Sequence, residues 1–297
     1  MKGIISIFAL PQELEDLAGT LERLKRNSAF ITNSVEYKVE ITMCLSDELT
    51  DWEKSKLPKE YFDERTSELC EKYLDWCSYT CIIEETTKVL GCVSQRRESL
   101  KNNQDADFFI WLDCDIIFKD TTLYYITSAY QIAKETGLEN IIVTPQFVKQ
   151  WDDTWDVVVN KNFWNNQINY HLDSNIYFDS LPQLEEIQVK EIPSFKFAGG
   201  WFTLISKSLL NEVGIPESFG HYGLEDTFVM ACSFMMRQKG KLVSQFILEN
   251  LIVGENHKNR TNQTIKKYIS AKDKKEEFKK IAHSNWETEI SLFNNKI

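Results

Sequence analysis

The 297-residue chain is 42% hydrophobic, enough apolar material to give one large domain or two modest ones a substantial core. Its formal charge of −11 excludes partners held by general phosphate attraction, because such proteins carry a basic face, so no nucleic acid is expected. The seven cysteines, an odd number with no C-x-x-C pair, read as reduced core residues rather than a disulfide framework or zinc site, and a reducing cytoplasm suits them.

At the N-terminus, "MKGIISIFALPQELED" holds one lysine and a short apolar run followed at once by acidic, helix-like sequence, with no small-residue cleavage site. Gly3 to Ala9 is therefore expected to be a first strand rather than a leader. A helix follows from Pro11 to Arg26, with Leu14, Leu17, Leu21 and Leu24 at helical spacing, and then a strand "YKVEITMCL" ending at Ser46 and Asp47. This is a βαβ unit. "DWEKSKLPKEYFDERTSEL" reads as a charged, aromatic insert before the strand "SYTCIIEET", Gly91, and a helix from about Ser94 to Asn102. Next comes the strand "DFFIWLDCDIIF", then a helix "TTLYYITSAYQIAKETG" and a strand "NIIVTP". Gln146 to Phe178, aromatic and Asn-rich, has no clean period and is expected to be irregular, a specificity loop.

Further on lie "FKFAGGWFTLISKSLLNEVG", "GLEDTFVMACSFMMRQKG" and a strand "FILENLIVG", before a lysine-rich helical tail that is either solvated or turned toward an anionic membrane surface. No run approaches the roughly 20 apolar residues that span a bilayer, so membrane contact would be peripheral. Repeated βα alternation predicts an α/β domain with a mostly parallel sheet flanked by helices. Ligands of such sheets gather at the carboxyl ends of the strands, where strand order reverses.

Four groups of residues could carry chemistry. Side chains alternate across a strand, so Asp113 and Asp115 are expected on one face and Cys114 on the other, and two carboxylates converge at the end of a buried "FFIWL" run. Unpaired, they repel; a cation between them removes the conflict, and oxygen-only ligation favours Mg2+ or Mn2+. The plain alternative is a strand end with two solvated aspartates. Glu225 and Asp226 in "GHYGLEDTF" open a helix, where acidic residues are ordinary dipole partners, yet a carboxylate held there can also serve as a general base. Gly199, Gly200 and Trp201 are either a tight turn beside a core tryptophan or a place where backbone and an indole ring meet a sugar. His257, in the polar "VGENHKNR", is a structural histidine or a metal ligand.

Taken in order, the DxD after the fourth strand, the GG-aromatic roughly 85 residues later, the ED at a helix start and the downstream histidine resemble the GT-A glycosyltransferases, particularly the inverting, family-2-like group. The resemblance spans about residues 3 to 260. "ISIFALP" is similar to the first nucleotide-binding strand, "TMCLSDELTD" to the second, and "GCVSQRRESL" to the Gly-to-Arg-Asn segment before the DxD, with Arg97 where that group often has Asn. The resemblance implies a GT-A, Rossmann-like domain over 1–260, with a donor half at about 1–118, an acceptor half at about 141–260, and a helical tail over 261–297.

It also implies roles. Ala9, Pro11, Asp47, Arg96 and Asp113 would hold the donor, a nucleotide sugar with UDP as its nucleotide; Asp113, Asp115 and His257 would bind Mn2+ or Mg2+. Asp226 would deprotonate the acceptor hydroxyl, with Glu225, Gly200 and Trp201 contacting an acceptor that is a glycan or a lipid-linked saccharide. With the cysteines read as reduced, a cytoplasmic enzyme is expected, peripheral at the inner face of the membrane if its acceptor is lipid-linked.

Three rival readings stand beside this one. "IWLDCDIIF" also resembles the first motif of haloacid-dehalogenase-like phosphohydrolases, in which Asp113 would attack phosphorus; that motif normally sits near the N-terminus, whereas over a hundred residues precede it here. A nucleotidyltransferase would need a Gly-rich phosphate loop after the first strand, and none is present. A non-catalytic carbohydrate-binding protein would use the eight tryptophans without needing the DxD, the ED and the histidine together.

Overall fold

The computed structural model describes residues 1–31, 34–46, 56–84, 91–150, 157–158, 184–192, 201–255 and 272–297. Its first unit is β1 (Lys2–Ala9), α1 (Leu14–Asn27), β2 (Glu36–Cys44), α2 (Lys59–Tyr73) and β3 (Ser78–Glu84). α3 (Cys92–Asn102) then leads to β4 (Phe108–Asp113), β5 (Ile116–Phe118), α4 (Thr122–Glu135) and β6 (Asn140–Gln150). Short β7 (Val157–Val158) and β8 (Gln188–Ile192) precede β9 (Phe202–Ser206), α5 (Lys207–Val213), α6 (Glu225–Gln238), β10 (Val243–Glu255) and α7 (Lys272–Lys296).

The strands form one sheet in the order β3-β2-β1-β4-β9-β6-β10-β5, with β7 beside β6 and β8 beside β10. β3, β2, β1 and β4 run parallel, as the βα alternation requires. β9 is antiparallel to both β4 and β6, and β5 and β8 are antiparallel to β10, so the second half of the sheet is mixed. The chain steps outward from β1 to β3 and then returns to the other side of β1 as β4, which makes β1/β4 the point where order reverses.

Side-chain alternation sorts the core into two layers. Ile5, Ile7, Phe108, Ile110 and Leu112 face a cluster with Leu14, Leu17, Leu21 and Leu24 of α1. Ile4, Phe109 and Trp111 face the opposite cluster, which holds Val93 of α3, Phe228 of α6 and Phe293 of α7. Each large side chain buried this way is worth about 1.5–3 kcal/mol.

Four elements differ from expectation. β6 continues past Pro145 to Gln150, with Gln146, Phe147 and Val148 paired to Ile252, Val253 and Gly254 of β10, so the start of the stretch expected to be irregular is strand, as is Val157–Val158; the rest of Gln146–Phe178 lies outside the described residues. The charged insert contains α2, whose buried Phe62, Thr66, Leu69 and Cys70 lie at helical spacing among polar neighbours. β4 ends at Asp113, and residues 114 and 115 form a turn into β5, so strand alternation does not place Asp115. Of the lysine-rich tail, residues 272–297 are described; Lys272–Lys296 form a helix, as expected there, with one face packed and the rest open to solvent: Ala282 and Phe293 of α7 are buried and Trp286 stacks on Phe219. No helix among the described residues is long and apolar enough to cross a membrane.

Candidate functional site

Asp113 is the last residue of β4 and follows Trp111 on the sheet face that α3 and α6 cover. That placement brings it to Arg96, from the second turn of α3, whose Nη2 donates to Asp113 Oδ1 at 3.2 Å. The same guanidinium donates through Nη1 to Glu225 Oε1, from the first turn of α6, in a short contact. Arg96 and Glu225 are almost fully buried, at 4% and 3% side-chain exposure, while Asp113 keeps 39%. The guanidinium also lies 4.8 Å from the Trp111 ring, an arrangement that offsets part of the cost of burying its charge.

This charge cluster sets the titration of its members. Burial opposes the charge on Arg96, but Glu225, Cys92 and Asp113 outweigh it and hold the guanidinium above its ordinary range. Burial pushes the Glu225 carboxyl up, Arg96 pulls it back and Asp226 pushes it up again. For Asp113, burial raises the carboxyl to about 7 against the pull of Arg96, with repulsion from Asp115, Asp226 and Glu225 adding to the rise. Its 39% side-chain exposure means that this is a carboxylate ringed by protein and open on one side, so solvent screens part of the effect. Asp115 sits just past it in the turn, 8% exposed. The backbone is pinned as well: Asp113 N donates to Trp201 O at 3.0 Å, which ties the end of β4 to the start of β9.

α6 is entered through Gly220 and Gly223, at φ +72° and +97°, and through Leu224 at φ +69°, a left-handed conformation uncommon for a leucine. The loop is seated against the start of α3: Val93 N donates to His221 O at 3.1 Å, and His221 Nδ1 lies 3.3 Å from Ser94 Oγ. The approach requires glycine at 91, because a Cβ there would stand 1.8 Å from His221 O. Asp226, on the second residue of α6, is partly exposed and accepts from Thr227 N at 2.5 Å and Thr227 Oγ1 at 3.1 Å.

Of the residues singled out from the sequence, the fold brings Arg96, Asp113, Asp115, Glu225 and Asp226 to one place at the β1/β4 crevice. Ala9 and Pro11 are buried at the end of β1, whose Phe8 pairs with Asp113. Trp201 is half-buried and packs against the α1 side of the core. Glu225 is turned inward onto Arg96 rather than outward toward an acceptor, and Arg96 is enclosed between two carboxylates. Asp47, Gly200 and His257 lie outside the described residues. Among the described residues no three His, Cys, Asp or Glu side chains converge as a metal cage. Two carboxylates two residues apart, one of them raised by burial and further by repulsion from the other, nonetheless suit a hard divalent cation, which keeps open positions for other oxygen ligands. Sequence reading missed the roles of Trp111 and His221; Gly91, immediately before a helix, was the one available signal for the close approach.

The sequence matches no protein-family profile and no curated protein. Its structure is similar to that of TarS from S. aureus, with TM-score 0.52 and 13% identity over 86% of this chain and 36% of that one. A second similarity is to GalNAc-T7 with UDP, GalNAc and Mn2+, with TM-score 0.52 and 12% identity over 86% of this chain and 44% of that one. TarS 1–349 in complex with UDP-GlcNAc gives TM-score 0.50 at 14% identity, over 86% of this chain and 56% of that one. The fold is GT-A. The chain thus spans between about a third and a little over half of these structures, and at such identities the likeness concerns the fold. In open α/β sheets ligands gather at the carboxyl ends of the strands where order reverses, and Asp113 and its partners stand at that place, the ends of β1 and β4.

Proposed function

We propose that the chain is a metal-dependent glycosyltransferase that moves a sugar from a nucleotide sugar, with UDP as the nucleotide, to a hydroxyl of a glycan or lipid-linked saccharide, with inversion. The observation that carries this reading is the Arg96 bridge, which sets a donor-side carboxylate, Asp113, and the acceptor-side helix start, Glu225–Asp226, around one crevice. The GT-A fold shared with proteins solved with UDP, UDP-GlcNAc and Mn2+ supports it further.

Asp113 and Asp115, with His257, would hold Mn2+ or Mg2+, and the bound ion would neutralise charge on the leaving diphosphate. Ala9 and Pro11, and Asp47 by the sequence resemblance, would contact the nucleoside. Arg96 acts on the donor through Asp113, fixing its carboxylate, and Glu225 in turn fixes Arg96. Asp226, the more open of the two helix-start carboxylates, takes the proton from the acceptor hydroxyl as it attacks from the face opposite the diphosphate. Trp201, and Gly200 by the sequence resemblance, would contact the acceptor.

The test is calorimetric titration of the folded protein with UDP, GDP and CMP, each with Mn2+ and again with EDTA. Metal-dependent binding of UDP is the expected result, lost in Asp115→Ala. A folded protein that binds none of the three overturns the proposal and favours a phosphohydrolase or a carbohydrate-binding protein.

A further inference from the structure

α7 does more than complete the second core layer. Its Phe278, 9% exposed, is buried against Leu10 and Cys44, the residues at the carboxyl ends of β1 and β2, with Phe8 and Tyr222 packed on the same cluster. Phe8 is the strand partner of Asp113. The Phe278 ring also meets His221 edge-on, with centroids 5.9 Å apart and planes at 85°. One ring therefore touches both the strand ends at the order-reversal crevice and the loop that leads into Glu225 and Asp226. The next residue, Lys279, leans over the loop too, since a Cβ on Gly223 would stand 3.1 Å from its Cγ.

Farther along, α7 is anchored independently of the crevice. Phe293 packs edge-on against Phe228, Asn285 Nδ2 donates to Ser218 O at 2.9 Å, and Ser218 Oγ donates to Glu289 Oε1 at 2.5 Å. The helix is thus held by one end and presents Phe278 from the other, as a rigid strut does.

We propose that Phe278 is a positioning residue for the donor: it sets the spacing between the β1 and β2 ends and the 221–224 loop, and so the width of the nucleotide crevice. The inference rests on the glycosyltransferase reading of that crevice. Phe278 acts through Leu10, Tyr222 and His221, because its own ring is enclosed by them.

The experiment compares UDP affinity in the presence of Mn2+, by calorimetry well below each protein's melting temperature, for the wild type, Phe278→Val, Phe278→Ala and Phe293→Val. Phe293, 4% exposed on the same helix but away from the strand ends, controls for loss of packing alone. The expected result is a melting temperature lowered in all three variants, with UDP affinity reduced at least tenfold in the Phe278 variants and within twofold of wild type in Phe293→Val. A Phe278 variant that is folded and binds UDP like the wild type overturns the inference. Phe278→Val keeps the test alive should Phe278→Ala fail to fold. Equal weakening in Phe293→Val also overturns it, since the effect would then belong to the helix as packing. A wild type that binds no nucleotide fails the glycosyltransferase reading instead, and that arm is read first.

Discussion

Replacing Arg96 by methionine preserves the bulk of the side chain over Trp111 but strips Glu225 of its cation. Glu225 is 3% exposed, so its carboxylate would be orphaned in the interior, which costs about 3–5 kcal/mol; Asp113, at 39% exposure, adds little because water screens it. Glu225→Gln is milder. There Arg96 keeps Asp113 at 3.2 Å, and a hydrogen bond between two charges becomes one from the charged guanidinium to a neutral amide oxygen, a loss of about 1–2 kcal/mol. Removing both charges leaves no orphan at 225, so the double variant should be less destabilised than the sum of the singles by about 2 kcal/mol. Urea unfolding with matched slopes measures all three, and Arg96→Met should lower the melting temperature by roughly 10 °C. The penalty has a definite sign with pH. Burial already raises the Glu225 carboxyl, and without Arg96 it rises further, so the destabilisation is full where that carboxyl is ionised and shrinks as pH falls and it takes a proton. Arg96→Met within about 1 kcal/mol of wild type at pH 8, or an additive cycle, would refute the assignment of Arg96 and Glu225 as a buried pair.

Asp226→Asn should retain UDP and Mn2+ binding while losing sugar transfer; normal turnover would remove the base assignment. With Asp113 raised to about 7, metal-promoted UDP binding should weaken about tenfold per pH unit below 7, because the proton must leave before the cation binds; calorimetry from pH 5.5 to 8 checks this. The stability contribution of the same carboxyl runs the other way, being full below the ordinary carboxylate range and lost as pH rises through about 7. Gly91→Ala puts a methyl group 1.8 Å from His221 O, so the α3 start and the 221 loop must part, at a cost of about 1–3 kcal/mol or more read as a lowered urea midpoint.

The β1-α1-β2 unit and the β4 strand were legible because their apolar residues repeat at the periods of a helix and a strand, with punctuation at Pro11 and Gly91. α2 escaped because its four buried residues are scattered among charges and one of them is a threonine. The carboxylates at 113, 115, 225 and 226 stood out by type and position. Their bridge did not: Arg96 and Glu225 are 129 residues apart, and no local pattern in one sequence says which of 34 basic residues meets which of 45 acidic ones. The packing of the tail was hidden for a similar reason, since the aromatic residues that anchor α7 are spaced widely through a lysine-rich composition.

The place of β9 in the sheet has a consequence for how the molecule comes into being. Among the described residues β4 lies between β1 and β9, and β9 alone joins it to β6, so the two halves of the sheet are stitched there by five residues, Phe202–Ser206, that emerge late in synthesis. Until they are made, β4 has a bare edge and Asp113 N lacks Trp201 O. Pairings of such long sequence separation must close a large loop before they gain anything, which makes their formation slow. Residues 1–118 by themselves therefore leave the β4 edge that β9 covers without its partner. A ribosome that has released residues 1–118 has delivered four parallel strands with one hydrogen-bonding edge of β4 unsatisfied, and that nascent sheet must be kept from sticking to its neighbours for nearly ninety residues more.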